Sequence, residues 1–265
     1  PSLKMTSILN PEWVAQGVYR ILNTRLPFEE QGILTWEMLE QILDDKPYED
    51  KRMFIINMMK KFELCYELPD RQSTYLIPDL LPKEVPNTGD WDGALRFEYH
   101  YPVLPRSILT RLIVRMHRYV YKAESGTRLA WRTGVVLIYE GNQALIRADL
   151  TSNRITIAIR GPGAGRREIL GKIRTHLNDI HATITDLRPE EKVPIPGHPK
   201  ADPVDYKHLC RLEYIGEKTF IPTGLSQHVS VRQLLDGIEP PEVRGKHDGG
   251  NTYYEINTSG GSIGT

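Results

Sequence analysis

The stretch RGPGAGRREILGKI, residues 160–173, gathers glycines, arginines and a lysine between a strand-like run and a helix-like run. A glycine-rich turn in that setting is where phosphates often sit, on free N–H groups at the positive end of a helix. Two phosphate-binding patterns bear on this stretch. A P-loop needs G-x-x-x-x-G-K-[ST]. Gly171-Lys172 fits its end, but Arg166 stands where the first glycine belongs and Ile173 where the magnesium-binding hydroxyl belongs. The dinucleotide fingerprint G-x-G-x-x-G also fails, because Gly161 and Gly163 are followed by Arg166 in the third place. A turn that reverses the chain is expected, with Arg166 and Arg167 as residual anion-attracting groups, and no cofactor is expected.

Other chemistry-bearing residues do not assemble. His176 and His181 are five apart, which is poor spacing for ligands on one helical face, and His176 with Asp179 reads as a surface pair. Cys65 and Cys210 lack metal-ligand spacing and sit in apolar company, as buried reduced thiols do. There is no G-x-S-x-G, H-E-x-x-H or C-x-x-C. No catalytic residue and no metal ligand is expected. The 34 Lys+Arg balance the 34 Asp+Glu, and 40% of the 265 residues are hydrophobic, as in a packed soluble fold. No apolar run has the length of a membrane span. Pro1 is not a natural start, so the chain is expected to be an excised piece of a larger protein.

The elements that would carry these residues fall into two halves. In ILNPEWVAQGVYRILN, Asn10 is a fitting N-cap and Pro11 a fitting first residue for a helix striped by Val14, Val18, Ile21 and Leu22. Thr35 caps a second helix with Trp36, Leu39, Ile42 and Leu43 inward. A third carries Phe54, Ile55, Met58, Met59 and Phe62 on one face. LCYEL and STYLIP then read as a hairpin. Helices followed by a hairpin give a winged-helix-like half, a fold that often binds DNA. Residues 1–80, however, carry nine Lys/Arg against thirteen Asp/Glu, a net charge of −4 that a duplex would repel.

LIPDLLPKEVPNTGDWDG marks a linker. Beyond it, ALRFEYHY alternates as a strand. LPRSILTRLIVRMHRYVY is a helix with Ile108, Leu112 and Tyr119 around its faces. LAWRTGVVLIYEGNQALIRADL reads as two strands turning at Gly141-Asn142. NRITIAIR places Ile155, Ile157 and Ile159 on a buried face and Arg154, Thr156 and Arg160 on a wet one, an antiparallel pattern. The helix after the glycines should lay Ile169, Leu170, Ile173, Leu177 and Ile180 on that isoleucine face. LRPEEKVPIPGHPKADPVDY is expected to be irregular, DYKHLCRLEYIGE a helix, and Ser230 the start of a last short helix. The expected class is α+β: a helical half with a hairpin, then an antiparallel sheet packed with helices.

ILNPEWVAQGVYRILN, FIINMMKKFELCYEL, RFEYHYPVLPRSILTRLIVRMH, WRTGVVL and YIGEKTFIPTGLSQHVSVRQLLDGI, in that order over residues 7–238, resemble the COR domain of Roco proteins, with a prokaryotic character. The resemblance implies a cytoplasmic, non-catalytic dimerisation and coupling module. It implies a Ras-like Roc GTPase domain in the same polypeptide, N-terminal to Pro1. Residues 1–93 would be the GTPase-facing half, 94–240 the dimerising β-rich half, and 241–265 a flexible tail. It places Tyr101, Val103, Leu104 and Pro105 at the GTPase. For a homodimer face, Trp131, Val136, Ile138 and Tyr139 are candidates, because GVVLIY is apolar on both faces; a central strand covered on both sides would look the same. The alternative function is a winged-helix nucleic-acid binder with a β-rich regulatory half.

Overall fold

The computed structural model describes residues 11–25, 27, 31–236 and 238. The expected cap Asn10 and the tail 241–265 lie outside the described residues.

The first unit runs α1 (Pro11–Asn23), β1 (Ile33–Thr35), α2 (Trp36–Ile42), α3 (Lys46–Glu49), α4 (Arg52–Lys61), β2 (Tyr66–Glu67) and β3 (Thr74–Leu76). Its strands form a small antiparallel sheet in the order β1-β3-β2. Thr35 caps α2 by accepting from the Met38 N–H at 3.3 Å. Ile21, Leu34, Leu39, Leu43, Ile55, Ile56 and Met59 make the core. Phe62, expected among them, is 59% exposed and Ile56 is buried instead. Phe62 is the C-cap of α4, past the end of the buried layer.

The second unit runs β4 (Leu95–His100), α5 (Ser107–Arg115), β5 (Ala130–Trp131), β6 (Gly134–Tyr139), β7 (Asn142–Asp149), β8 (Arg154–Arg160) and α6 (Gly163–His181). It continues with β9 (Glu190–Val193), β10 (Val204–Asp205), α7 (Tyr206–Tyr214), β11 (Thr219–Phe220), β12 (Val229–Ser230) and α8 (Val231–Leu235). The chain is therefore α+β. A seven-stranded sheet has the order β10-β9-β4-β8-β7-β6-β5, and every neighbouring pair is antiparallel. Ile155, Ile157 and Ile159 meet Ile169, Leu170, Ile173, Leu177 and Ile180 of α6, all 1% exposed or less. Ser230 caps α8 as expected, accepting from the Gln233 N–H.

Three expectations are corrected. The β6–β7 turn lies at Glu140-Gly141, both with positive φ (47° and 74°) as a two-residue type I′ hairpin requires. Asn142 is already in β7, opposite Tyr139. The proline-rich stretch after Leu187 is not wholly irregular: β9 adds to β4 through Glu98↔Lys192, Tyr99↔Glu191 and His100↔Glu190. A waiting sheet edge offers backbone partners that composition does not reveal. Finally, the face of the sheet expected to be wet carries its own apolar patch of Trp131, Val136, Leu145 and Ala158, covered by Trp91.

Trp91 comes from the linker, which is docked as a strap. Arg160 places its guanidinium 4.2 Å from the Trp91 ring centroid and donates to the Asp90 carbonyl. The indole N–H donates to the Thr88 carbonyl at 3.0 Å. The Arg132 N–H donates to the Pro82 carbonyl at 2.8 Å. The two units also share a core, since Tyr66, Leu68, Leu76 and Leu81 belong to the large cluster built on the sheet.

Gly134 lies opposite Trp131, and a Cβ at Gly134 would overlap the indole. Gly134→Ala is expected to destabilise the chain by about 1–3 kcal/mol through overpacking. A lower urea midpoint with an unchanged m-value would report it; an unchanged midpoint would mean that the indole moves aside freely.

Candidate functional site

Two surfaces qualify: the segment between β4 and α5, and the tip of the β6–β7 hairpin beside α6.

The first is held by Asn153, which adopts φ 50° in the β7–β8 turn. Its backbone carbonyl accepts from the Tyr101 N–H at 2.8 Å, and its side-chain oxygen accepts from the Leu104 N–H at 3.0 Å. The intervening residues are thereby turned outward. Val103 is 70% exposed and Pro105 is half-buried, whereas Tyr101 and Leu104 are each 6% exposed. Of the four residues expected at a GTPase contact, Tyr101 and Leu104 thus face the core and only Val103 and Pro105 offer surface.

Behind this segment lies a polar cluster that sequence reasoning did not find. The Tyr101 hydroxyl and His181 Nε2 are 3.0 Å apart. Burial holds His181 down to about 4, so a neutral imidazole shares this hydrogen bond with the hydroxyl. Burial, with Glu191 nearby, pushes the Tyr101 phenol up. Arg174, only 4% exposed, reaches Glu191 of β9 through Nε at 3.2 Å and Nη2 at 3.1 Å. Its guanidinium also lies 4.6 Å from the Tyr206 ring centroid. A signal was present: Arg174 is four residues after Leu170 and three before Leu177, on the apolar stripe itself.

At the hairpin tip, Ile138 is 36% exposed and Tyr139 half-buried. Lys172 Nζ sits 4.6 Å from the Tyr139 ring centroid, and Tyr119 meets Tyr139 edge-on at 5.6 Å. Glu168, Gly171, Thr175 and His176 line the shallow cleft beside them. Trp131 and Val136, expected with Ile138 and Tyr139 on an open dimer face, are each 1% exposed beneath the strap.

The glycine run has a steric explanation. The Asn142 amide packs against Gly161 (φ 126°) and Gly165, and a Cβ at Gly161 would come within 2.6 Å of its oxygen. The space beside the first turn of α6 is filled by this amide. The two arginines considered for anion binding are engaged as well: Arg166 Nε donates to the Gly161 carbonyl at 2.7 Å, and Arg167 Nε to the Asp236 carbonyl. Among the described residues, no three His, Cys, Asp or Glu side chains are placed to hold a metal, and no helix is long and apolar enough to cross a membrane. Burial pushes the Cys65 thiol up to about 12.

Residues 1–81 match the family model for the C-terminal-of-Roc COR-A domain, and residues 92–237 match the model for the COR-B domain. The chain is 26% identical over 197 residues to a probable serine/threonine-protein kinase, pats1, of Dictyostelium discoideum, which covers 68% of this chain and 6% of that protein. It is 26% identical over 155 residues to a Roc-COR-CHAT protease of an unknown prokaryotic organism, covering 56% of this chain and 14% of the relative. A third relative, the probable serine/threonine-protein kinase roco11 of Dictyostelium discoideum, is 32% identical over 85 residues, 32% of this chain and 6% of its own length. The chain thus spans only a small part of the relatives it matches.

The buried imidazole makes stability depend on pH. Unfolded histidine titrates near 6.5, so between about 4 and about 6.5 the unfolded chain binds a proton at His181 that the folded chain does not. This contribution is complete above about 6.5 and is lost as pH falls towards about 4. Urea midpoints at pH 7 and pH 5 should fall less in His181→Gln than in the unaltered chain. An equal fall would show that His181 charges freely in the fold.

Proposed function

Since the chain belongs to the COR family, spanning both its COR-A and COR-B domains, we propose that it is the non-catalytic dimerisation and coupling module of a Roco protein. In this reading it packs on a Roc GTPase domain of the same polypeptide, works in the cytoplasm, and ties the nucleotide state of Roc to oligomeric state. GTP chemistry belongs to Roc, not to this chain. The observation that carries the reading is the succession of the two family matches along one chain, in the order of the two structural units. A relative whose printed name joins Roc to COR supports the tandem.

The sites follow the exposed residues. Val103 and Pro105 form the outward part of the GTPase-facing segment, with Tyr101 and Leu104 setting its backbone from behind. Ile138 and Tyr139 form the exposed edge of the dimer face, with Trp131 and Val136 stiffening the sheet beneath. The first unit, proposed as residues 1–93, has the element order and the β1-β3-β2 sheet that suit a winged helix. Here it serves as a packing module, since a fold does not fix a function. The nucleic-acid alternative is disfavoured by the net charge of −4 over residues 1–80 and by the engagement of Lys60 with Glu67 at 2.8 Å.

The test is the molar mass of the chain by light scattering across a dilution series. A dimer that dissociates on dilution is expected, with Ile138→Asp raising the dissociation constant at least tenfold, which corresponds to about 1.4 kcal/mol. Monomer at every concentration would overturn self-association by this chain. Labelled GTP should not bind it; saturable binding would overturn the non-catalytic assignment.

A further inference from the structure

The end of α4 carries a residue that local physics argues against. The Phe62 N–H donates to the Met58 carbonyl, the Glu63 N–H to Lys60 at 3.1 Å, and the Leu64 N–H to Met59 at 2.9 Å. This is the closing pattern of a helix whose next residue turns left-handed, a place usually filled by glycine or asparagine. Here it is Glu63, at φ 59°. A glutamate in that conformation is strained relative to glycine, so something beyond the turn must favour its side chain.

The carboxylate has a specific destination in the other unit. Its two oxygens lie 2.5 Å from Arg111 Nε and 2.5 Å from Arg115 Nε, two guanidiniums one turn apart on α5. Both arginines extend onward to the end of α6: Arg111 Nη1 donates to the Thr183 hydroxyl at 2.8 Å, and Arg115 Nη1 faces Asp179 at 3.6 Å. The three side chains are partly buried, where charge-assisted bonds outweigh surface ion pairs. Burial alone would raise the Glu63 carboxyl, yet the two arginines hold it below its usual range.

We propose that Glu63 is a positioning residue, a latch that fixes the COR-A unit to α5 and the end of α6, and so sets where the segment 101–105 stands. α5 begins directly after that segment, so a change in the latch is felt at the surface offered to the GTPase. The functional meaning rests on the docking role proposed above; the latch itself does not.

Amide hydrogen exchange on the full 265-residue chain separates the possibilities. Glu63→Gly relieves the backbone and deletes the carboxylate, while Glu63→Gln keeps the side chain's shape and deletes its charge. The latch predicts that both speed exchange at least tenfold at residues 101–115, with the interior of α6 at 169–177 unchanged as evidence of folding. Arg111→Gln with Arg115→Gln should reproduce the pattern. If Glu63 serves only to end the helix, Glu63→Gly will raise the thermal midpoint and leave exchange at 101–115 at the parental rate, which overturns the proposal. Unchanged exchange in Glu63→Gln overturns it too. Dimerisation by light scattering fails or succeeds independently of either result.

Discussion

The isoleucine face of β8 is the constraint on which the second unit depends. Ile155, Ile157 and Ile159 must leave water together, because a strand period of two puts all three on one side. The α6 stripe that covers them repeats with the helical period and can do so along only one line. Once that contact is made, β8 is central. β4 and β7 flank it, β9 finds the free edge of β4, and the start of α6 is brought against the β6–β7 hairpin. The packing of Asn142 beside Gly161 and Gly165 follows from that placement. Removing apolar surface from water supplies the drive, while the two periodicities supply the direction.

This part of the fold was legible because it is written in periodic apolar residues. The α1 and α2 stripes, the α4 stripe apart from Phe62, the Thr35 and Ser230 caps and the β2–β3 hairpin are local signals, and the structure contains them. β9 was not legible, because Glu190–Val193 has no apolar alternation and forms on an edge supplied by residues about ninety positions away. β1 was hidden in the run that leads to the α2 cap; three residues leave no period to detect. The strap misled for a related reason. Proline, glycine and aspartate correctly signal the absence of regular structure, but one tryptophan among them is enough to fasten an irregular chain to a sheet.

The functional surfaces were half legible. A resemblance fixes which segments matter, but the inward or outward sense of each residue depends on partners elsewhere. Asn153 decides that Val103 points out and Leu104 in, and it lies some fifty residues away in a turn. Trp131 and Val136 read as open because their cover comes from the linker. The buried polar residues Arg174 and His181 interrupt apolar stripes, and such interruptions carry information that pattern matching discards. A charge on a buried stripe must have a partner; here the partners are Glu191 and the aromatic rings around it.

The docked strap also limits how far the connection in this chain can change in length. A loose connection between two units tolerates insertions, since each doubling of a flexible loop adds only about 0.6 kcal/mol of closure entropy. This connection is fastened at Pro82 by Arg132 and again from Thr88 to Trp91 by Arg160. Added or deleted residues within the second fastening would lift the indole from its patch, and only the short stretch 83–87 between the two can change length without doing so. Added residues should be tolerated better in the stretch 195–203, none of whose residues belongs to the patch under Trp91. The spacing between the two units is thereby set by the strap rather than left to a loose tether.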